Sequence, residues 1–529
     1  MTDTYVQDFP LTLNGFLEHA ARWHPQAGVV TATGAGETTR ITYPELLTAS
    51  RRFSAGLETL GIKHGDRVAT LAWNTQAHVE AWYGITGIGA VVHTLNPRLA
   101  IETLASMVRQ AQCRLLIVSA DIAPSAVEIA KLAPSIERLI IIDDVIEASS
   151  LNASVPVIQH TDMLSDEGVV WGDFDENSPA GLCFTSGTTG DPKGVVYTHR
   201  SSYLHTLRAL QTDVIGITAN DNILMVVPMF HANGWGFPYA APAVGASLVL
   251  PGRHADGANL AALINSAGVT VAAAVPTVWL GLVDQLDASG GDLPSLKRII
   301  VGGAPMGEQL MERIETRIGA IVQTSWGMTE LTPLGAIAPA GLPTRNAASA
   351  GRIAIGIDFL LKDGDGNALP EQRGVEGYLH VKGQSVVKRY YGKAEDAVDA
   401  EGWFDTGDLA RIDLDGSLFI TGRAKDLIKS GGEWINPAEI EAIVSGLPAV
   451  AQAAVIARED ARWGERPVLV VELRDADAIT DADLTASLKG RVPSWWMPDS
   501  VIRVPAMPLA ATGKIDKKKL RIQFGTKAA

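Results

Sequence analysis

A chain of 529 residues is too long to fold around one hydrophobic core, so the sequence predicts at least two domains. Hydrophobic residues make up 47% and charged residues 19% of the chain, a composition typical of a globular protein. The formal net charge of −15 argues against nucleic acid, and against an anionic membrane surface, as a general partner.

The cysteine content and the apolar segments bear on the compartment of the protein. Two cysteines, Cys113 and Cys183, argue against a disulfide framework and suit a reducing cytoplasm. Residues 1–10 contain no basic segment followed by an apolar run, so no secretory signal is predicted. The longest apolar stretch, 269–283, contains Pro276 and is shorter than the roughly 20 residues of a membrane-spanning helix. We therefore predict a cytoplasmic protein without a membrane span.

Helical and strand patterns alternate from the N-terminus onward. Residues 13–23 and 43–60 have the apolar spacing of helices, and 29–43 has the pattern of a hairpin. Unbroken apolar runs then predict strands, and the same rhythm returns after a helical segment at 199–213. Such runs indicate parallel sheets buried on both faces, so we expect two α/β halves packed together. The predicted strands lie at 66–71, 90–95, 115–118, 139–142, 222–227, 269–273 and 298–301.

The pattern changes near Gly351, where short strands alternate with Gly/Asp turns and predict a smaller β subdomain. The last ~100 residues have strands and helices of their own, enough for a small α/β domain. We place the boundary at Lys425. The predicted fold class is therefore α/β, with a large N-terminal domain (1–424) and a small C-terminal domain (425–529). The short strands of the β subdomain are predicted at 358–361, 377–381 and 417–423.

The segment Thr185–Gly194 combines three glycines, four hydroxyl residues and one lysine between two short strand patterns. Small residues let successive backbone N–H groups turn toward an anion, so the segment suits a polyphosphate. It is not a Walker A loop, because Lys193 is followed by Gly194 and not by Ser or Thr. Taken alone, the pattern fits a solvated Ser/Thr/Gly turn equally well.

Residues Phe184–Gly194 resemble the phosphate loop of the adenylate-forming enzymes, which include acyl-CoA synthetases, peptide-synthetase adenylation domains and firefly-type luciferases. The resemblance covers nearly the whole chain, with the family's motifs in order and spacing. It implies a mobile C-terminal domain, with a carboxylic acid, ATP and CoA as substrates and Mg²⁺ as cofactor. A homodimer, as in some relatives, is left open. The ATP-binding residues implied in this loop are Thr185, Ser186, Gly187, Thr188, Thr189, Gly190 and Lys193, the last also as a catalytic residue.

The segment 228–236 places aromatic rings, glycines and one histidine after a predicted strand. These residues suit the wall of an apolar pocket or an ordinary core loop. The resemblance implies that Trp235 gates an acyl tunnel and that His231 lies beside the carboxylate as a catalytic residue. Trp235 is typical of members that act on fatty acids, so the chain is similar to the fatty-acid and 3-methylmercaptopropionate CoA ligases. A metal role for His231 is disfavoured, because no second ligand stands near it in sequence.

Two further segments carry the features of a nucleotide site. Gly302, Gly303 and Ala304 end a predicted strand, where ligands of open α/β sheets bind, although a plain turn has the same pattern. The segment 323–330 then provides an aromatic ring, hydroxyls and a carboxylate, and Mg²⁺ prefers carboxylate oxygens together with substrate phosphates. The resemblance implies that the glycines hold adenine, and that Glu330 and Thr185 hold Mg²⁺. It assigns ATP contacts to Ser325, Trp326, Gly327 and Thr329, with Thr329 at the α-phosphate and Gly327 also lining the acyl pocket.

The family usually has tyrosine where this chain has Trp326, so stacking is kept while a phenol hydroxyl is lost. Asp408 resembles the ribose-binding carboxylate, and Arg423 is implied to bond the ribose as well. Lys425 is implied to be the hinge, whose backbone absorbs a change in φ and ψ. Without the resemblance, these three residues fit ordinary turn acids and solvated charges.

The last motifs belong to the predicted small domain. Its loop 430–433 has two glycines that let the backbone approach a thin ligand, and the resemblance assigns it to the pantetheine arm of CoA. Lys514 follows a flexible glycine and can neutralise charge between phosphates and a carboxylate. The resemblance makes Lys514 the adenylation lysine, whereas pattern alone ranks it with the solvated lysines at 517–519. The residues implied to bind CoA are Ser430, Gly431, Gly432 and Glu433.

The resemblance implies an AMP-forming acid–thiol ligase that converts an apolar monocarboxylic acid to acyl-CoA through acyl-AMP. The rival readings are a ligase that loads a carrier protein, a ligase for an aryl-alkanoic acid and a luciferase-type oxygenase. A non-catalytic binder is disfavoured, because Thr185, Glu330, Asp408, Arg423 and Lys514 are all intact.

Overall fold

The computed structural model describes residues 6–34, 36–172, 174–185, 192–342, 345–475, 478–510 and 514–526. Helices and strands alternate through the first part of the chain, as predicted, and the second helix begins where Thr42 and Glu45 form a capping box. The elements are α1 Asn14–Trp23, β1 Gly28–Gly34, β2 Glu37–Thr42, α2 Tyr43–Thr59, β3 Arg67–Leu71, α3 Gln76–Gly87, β4 Val91–Thr94, α4 Ile101–Ala111, β5 Leu115–Ser119, α5 Ala123–Leu132, β6 Arg138–Ile142, β7 Val157–Gln159, α6 His160–Met163, β8 Pro179–Thr185, β9 Lys193–Thr198 and α7 His199–Ala209.

The following residues continue the alternation and then become purely β. These elements are β10 Asn222–Met225, α8 Phe237–Val244, β11 Ser247–Leu250, α9 Gly257–Ser266, β12 Val271–Ala274, α10 Pro276–Ser289, β13 Arg298–Val301, α11 Glu308–Ile318, β14 Ile321–Gly327, β15 Leu334–Ile337, β16 Gly351–Ile353, β17 Ile357–Lys362, β18 Glu376–Gly383, β19 Phe404–Ile412 and β20 Ser417–Arg423. The C-terminal elements are β21 Ile428–Ser430, β22 Glu433–Ile435, α12 Pro437–Ser445, β23 Val450–Asp460, β24 Gly464–Leu473, α13 Asp481–Ala486, β25 Ser500–Arg503 and α14 Lys517–Phe524.

The strands of the described residues form three sheets. The first has the order β7-β6-β5-β3-β4-β8-β9 and is parallel except for the β8–β9 hairpin. The second has the order β17-β18-β19-β20-β16-β15-β14-β13-β12-β10-β11-β1-β2. The third contains β22-β21-β24-β23, with β25 parallel to β24. This architecture confirms the α/β prediction, with a large sheet-rich N-terminal part and a small C-terminal part.

The predicted β subdomain shares the second sheet with the second α/β half. Strand β14 joins them, because its residues 321–324 pair with β13 in parallel and its residues 325–327 pair with β15 in antiparallel. The antiparallel ladder therefore begins before Gly351, where the sequence predicted its start. Residues 325–327, which belong to the predicted nucleotide site, lie where the parallel pairing ends.

The two α/β halves pack together, as the sequence predicted, and they share a hydrophobic core. Its buried residues come from both sheets, and the aromatic side chains of α3 reach across to α8. Tyr83 donates its hydroxyl to the carbonyl of Pro238 at 2.8 Å, and Trp82 donates its indole N–H to the hydroxyl of Tyr239. The third sheet buries separate clusters around Ile440 and Leu520. Among the described helices, none has both the length and the apolar composition that crossing a bilayer requires.

Candidate active site

The β8–β9 hairpin brings the two ends of the predicted phosphate loop together. Thr185 and Lys193 are the last paired residues of the hairpin, and the Thr185 hydroxyl lies 3.5 Å from the Lys193 carbonyl. The Lys193 ammonium lies over the ring of Tyr390, 4.9 Å from its centroid. The remaining residues assigned to the phosphate, Ser186, Gly187, Thr188, Thr189 and Gly190, lie outside the described residues, so their role stays a prediction.

The proposed metal carboxylate lies next to this hairpin. A 3-10 turn formed by Thr329–Leu331 contacts β8, and the hydroxyl of Tyr197 on β9 donates to the Thr329 carbonyl at 2.7 Å. Glu330 is only 7% exposed, and the Tyr390 hydroxyl donates to its Oε1 at 2.9 Å. The structure therefore brings together the segments that carry Thr185, Lys193 and Glu330.

The oxygen ligands around Glu330 are few, and they suit Mg²⁺ bound together with substrate phosphates. Among the described residues, no group of three His, Cys, Asp or Glu side chains could hold a metal ion. Mg²⁺ usually keeps several waters and binds through one or two carboxylates plus substrate phosphates, so it needs no such group. One buried carboxylate beside a strand that ends in a threonine hydroxyl fits this mode of binding.

Trp326 connects this region to the predicted ribose carboxylate. Its indole N–H donates to Oδ2 of Asp408 at 3.0 Å, and its ring packs edge-on against Phe359 with centroids 5.7 Å apart. The sequence treated Trp326 only as a stacking ring that lacks a phenol hydroxyl. The structure shows that the indole supplies a hydrogen-bond donor to a second motif 82 positions away. No local pattern in the sequence signals this contact.

Asp408 and Arg423 form a cross-strand pair on β19 and β20. The Arg423 Nε lies 2.7 Å from Oδ1 of Asp408, close enough for an ion pair, although the two groups are not aligned as a hydrogen bond. Burial raises the pKa of Asp408, while Arg423, Trp326 and Lys514 oppose that rise. Oδ1 therefore accepts no aligned hydrogen bond within the described residues, although Arg423 lies beside it, and it is open to a donor from a ligand. A ribose hydroxyl would provide one.

Lys514 extends from the C-terminal part of the chain into the same region. Burial lowers the pKa of its ammonium, and so do the charges of Arg423 and Lys425, while Asp408 acts in the opposite direction. Lys514 as a whole has much solvent-accessible surface, but nearby protein atoms still desolvate its amine. The Lys514 charge also lowers the pKa of His231. The structure therefore gathers residues of the two predicted domains around one ammonium group.

His231 precedes an unusual turn in the predicted acyl segment. Its imidazole Nε2 is buried without a hydrogen bond in the part of the chain that the structure describes. Burial, with smaller effects from Arg98 and Lys514, lowers the pKa of His231 to about 4. The ring is therefore neutral at pH 7. A neutral imidazole with a free nitrogen can bond a carboxylic acid substrate without adding charge.

The residues after His231 form a left-handed turn. Five consecutive residues, 232–236, have φ between 35° and 78°, and Ala232, Asn233 and Trp235 are not glycine. Such conformations cost of order 1–3 kcal/mol each and persist only where the surrounding structure enforces them. The turn places Trp235 next to Gly302. The indole ring lies so close that a Cβ added to Gly302 would be only 2.8 Å from it.

The predicted adenine segment lies beside this indole. The Ser325 hydroxyl donates to the Val301 carbonyl at 2.9 Å and would also meet a Cβ at Gly302, at 2.6 Å. Gly303 has φ of +80°, which favours glycine, and Ala304 follows it half-buried. A Cβ at Gly327 would lie 2.2 Å from the Pro333 carbonyl, so the backbone is closely packed there too. Gly302 and Gly327 are therefore required by close packing, and Gly303 by its backbone conformation.

The loop assigned to CoA is a tight turn between β21 and β22. Gly431 and Gly432 have φ of +62° and +94°, a conformation that suits glycine. The Gly431 N–H donates to the Trp463 carbonyl at 2.7 Å, and the Ser430 hydroxyl accepts from Arg466 at 3.0 Å. Glu433 is exposed at the start of β22. These contacts all lie within the third sheet and its loops, and the CoA assignment stays a prediction.

Lys425 lies in the 3-10 turn Ala424–Asp426 that connects the second and third sheets. The next residue, Asp426, is bound by Arg521 at 2.5 Å and lies 3.9 Å from Lys517. Both cations belong to α14, which begins three residues after Lys514. The end of the proposed hinge is therefore tied to the helix that follows the predicted adenylation lysine.

Comparisons with known proteins agree with this two-part arrangement. The model of the AMP-binding enzyme family matches residues 17–391, and that of the AMP-binding enzyme C-terminal domain matches residues 439–514. The chain therefore belongs to the AMP-binding enzyme family. Both the enzyme prediction and the family resemblance in the sequence are confirmed.

The chain is similar to several individual CoA ligases along nearly its whole length. The medium-chain-fatty-acid–CoA ligase of Ectopseudomonas oleovorans is 38% identical over 97% of this chain and 96% of its own length. The 3-methylmercaptopropionyl-CoA ligase of Ruegeria lacuscaerulensis is 38% identical over 97% of each chain. The solved O-succinylbenzoate coenzyme A synthetase of Bacillus subtilis, in complex with ATP and magnesium ion, is 25% identical with a TM-score of 0.80. That comparison covers 96% of this chain and 99% of the other.

Proposed function

We propose that this enzyme is an ATP-dependent acyl-CoA ligase for an apolar monocarboxylic acid, such as a short- or medium-chain fatty acid or a methylthiopropionate-like acid. It forms acyl-AMP and pyrophosphate, and then acyl-CoA and AMP. One observation carries the proposal: the Lys514 ammonium lies within the electrostatic reach of both Asp408 and His231. These residues mark the expected ribose and carboxylate ends of an acyl-adenylate. The names of the relatives at 38% identity support the same chemistry.

In the first half-reaction, a carboxylate oxygen of the acid attacks the α-phosphorus of ATP, and pyrophosphate leaves. Lys514 stabilises the charge that develops between the carboxylate and the phosphates, and Lys193 does the same at the leaving group. Asp408 accepts hydrogen bonds from the ribose, and its bond from Trp326 fixes the carboxylate in that orientation. His231 bonds the acid and Trp235 closes over the acyl chain.

Glu330 and Thr185 would hold Mg²⁺ here, and the bound ion would offset the charge of the ATP phosphates. Glu330 is prepared for this role because it is buried and one of its oxygens is already bonded by Tyr390. The magnesium ion in the solved relative from Bacillus subtilis supports the use of Mg²⁺ by this enzyme.

In the second half-reaction, the C-terminal domain (425–529) rotates about Lys425 relative to the N-terminal domain (1–424). The rotation withdraws Lys514 and presents the loop with Gly431 and Gly432 to the pantetheine arm. The CoA thiolate then attacks the acyl-AMP carbonyl, and AMP leaves. The ion pair of Asp426 with Arg521 connects the residue after the hinge to α14.

A panel of carboxylic acids, read by pyrophosphate release, tests the proposal. We expect release to depend on added acid and Mg²⁺, with straight-chain acids of short or medium length preferred over benzoate. Complete turnover should require CoA. Pyrophosphate release at a rate independent of the added acid would contradict the ligase proposal. Acid-dependent release without a CoA-dependent product would favour a carrier-loading enzyme.

The lowered pKa of Lys514 predicts a pH dependence for the first half-reaction. The ammonium is charged below its pKa, which is lower than the usual 10.5, so the charge is lost at a lower pH than for an ordinary lysine. We expect acid-dependent ATP–pyrophosphate exchange to fall as the pH rises through the lowered pKa of Lys514. Thioester formation from supplied acyl-AMP should lack this alkaline decline.

The variant Lys514→Arg is the control for this pH dependence. Arginine stays protonated throughout the range, so the variant should lose the alkaline decline even though its exchange rate is lower at neutral pH. An identical decline in Lys514→Arg would assign the effect to another group.

A further inference from the structure

Tyr390 contacts two residues of the proposed phosphate site at once, and no motif in the sequence singles it out. Its hydroxyl donates to Oε1 of Glu330 at 2.9 Å. The face of its ring lies 4.9 Å from the Lys193 ammonium. One side chain therefore touches both the carboxylate expected to hold the metal and the lysine at the end of the phosphate loop.

The backbone around Tyr390 is fixed on both sides of the site. The N–H of Val387 donates to the Glu330 carbonyl at 2.7 Å, and the N–H of Tyr391 donates to the Gly194 carbonyl at 2.7 Å. The connection between β18 and β19 is thus hydrogen-bonded both to the turn that contains Glu330 and to β9. The backbone that carries Tyr390 is therefore anchored close to both of its contacts.

The phenol hydroxyl of Tyr390 is suited to donate a hydrogen bond to the Glu330 carboxylate. Burial raises the pKa of Tyr390, and the Glu330 carboxylate raises it further, so the hydroxyl keeps its proton at neutral pH. A phenol O–H bonded to one carboxylate oxygen fixes the rotation of the carboxyl group and leaves the other oxygen for a ligand. The ring attracts the ammonium of Lys193 through its negative face.

We propose that Tyr390 is a positioning residue that aligns Glu330 for the metal ion and holds Lys193 in place at the start of β9. The inference rests on the proposed function, because it assigns Glu330 to the metal and Lys193 to the phosphates. In this arrangement, Tyr390 makes the metal carboxylate and the phosphate lysine one connected unit. Removing the hydroxyl should loosen Glu330 alone, and removing the ring should release Lys193 as well.

Three variants separate these contacts. Tyr390→Phe removes the hydroxyl and keeps the ring, and Tyr390→Leu removes both. Tyr391→Phe removes a hydroxyl of the same kind one position along the chain and is the matched control. Each full-length variant is titrated with Mn²⁺ in the presence of a non-hydrolysable ATP analogue, with free Mn²⁺ read by electron paramagnetic resonance. ATP–pyrophosphate exchange against Mg²⁺ and ATP concentration, and the thermal midpoint, complete the set.

For Tyr390→Phe we expect Mn²⁺ binding in the ternary complex to weaken about 10-fold, the low end for residues that orient metal ligands. The Mg²⁺ concentration for half-maximal exchange should rise in parallel, with the KM for ATP at saturating Mg²⁺ unchanged. Tyr390→Leu should show the same metal defect and a raised KM for ATP. Tyr391→Phe should match the wild type in every measurement.

Unchanged Mn²⁺ binding in Tyr390→Phe overturns the proposal. So does a thermal midpoint that falls in Tyr390→Phe while the metal titration stays at the wild-type value, because Tyr390 would then serve packing alone. The Mn²⁺ titration also keeps the two hypotheses apart. If the wild-type enzyme binds Mn²⁺ with the analogue but shows no acid-dependent exchange, the proposed function is contradicted. The Mn²⁺ titration of the variants still decides whether Tyr390 positions Glu330.

Discussion

The variant Lys514→Ala should lose acid-dependent ATP–pyrophosphate exchange by about 10²–10³-fold or more, the range for removing a charge-stabilising group from an active site. Thioester formation from supplied acyl-AMP should stay within a few-fold of the wild-type rate. The reason is positional: in this structure the Lys514 ammonium is close enough for its charge to interact with those of Asp408 and Arg423, and the proposed rotation removes it before the thiol attacks. The substitution therefore affects only the half-reaction in which the lysine is present.

Separate assays of the two half-reactions, with Lys518→Ala as the control, check this expectation. Lys518 lies four positions away on the exposed side of α14, so its loss should change neither rate. An equal loss of both half-reactions in Lys514→Ala would contradict the rotation, because the lysine would then be needed at the second step too. Wild-type exchange in that variant would remove Lys514 from the mechanism.

The sequence predicts much of this site because its motifs lie at the ends of strands, and each strand can be recognised from a short run of consecutive residues. The strand Ser417–Arg423 is observed with its predicted bounds, and this alone places Arg423 at a strand end. Its pairing with Asp408 follows from antiparallel register, which no single segment contains. The sequence named both residues as ribose contacts but gave no reason to expect that they pair with each other.

The contacts that the sequence missed join segments far apart in the chain. Trp326 was read as a variant of the usual tyrosine, and its donor function became visible only when β14 and β19 were seen side by side. Tyr390 has no motif at all, since its partners are 60 and 197 positions away. A hydrogen bond between distant segments depends on the topology of the sheets, and residue pattern does not encode it.

The turn at 232–236 illustrates a different limit. A run of positive φ that includes Ala232 and Trp235 opposes the intrinsic preference of those residues, so local propensity could not have predicted it. Glycine is needed at two positions of this turn: a Cβ at Gly234 would lie 3.0 Å from the sulfur of Met225, and one at Gly236 would lie 2.8 Å from the His205 ring. Strain that packing maintains is typical of functional sites, and here it presents Trp235 to Gly302.

The variant Lys425→Pro should show the opposite defect to Lys514→Ala. Lys425 lies in a 3-10 turn, where φ is roughly −50° to −70°, and the proline ring imposes a similar value. Proline should therefore be compatible with this turn in the observed conformation, and it resists the change in φ and ψ that a hinge must absorb. We expect ATP–pyrophosphate exchange within a few-fold of the wild type, and thioester formation from acyl-AMP slowed by about 10²-fold or more, the scale of losses when catalytic groups are misplaced.

The matched control is Lys425→Ala, which removes the same side chain and keeps a flexible backbone. Both half-reactions should stay within a few-fold of the wild type in this variant, so any larger defect in Lys425→Pro belongs to the backbone. Rapid thioester formation in Lys425→Pro would show that the C-terminal domain turns about another residue. A deficit in exchange alone would mean that proline disturbs the observed conformation, and that the hinge does not lie at this turn. Lys514→Ala and Lys425→Pro should therefore impair different half-reactions. Lys514→Ala measures the role of the lysine in adenylation, and Lys425→Pro measures the role of the hinge in thioester formation.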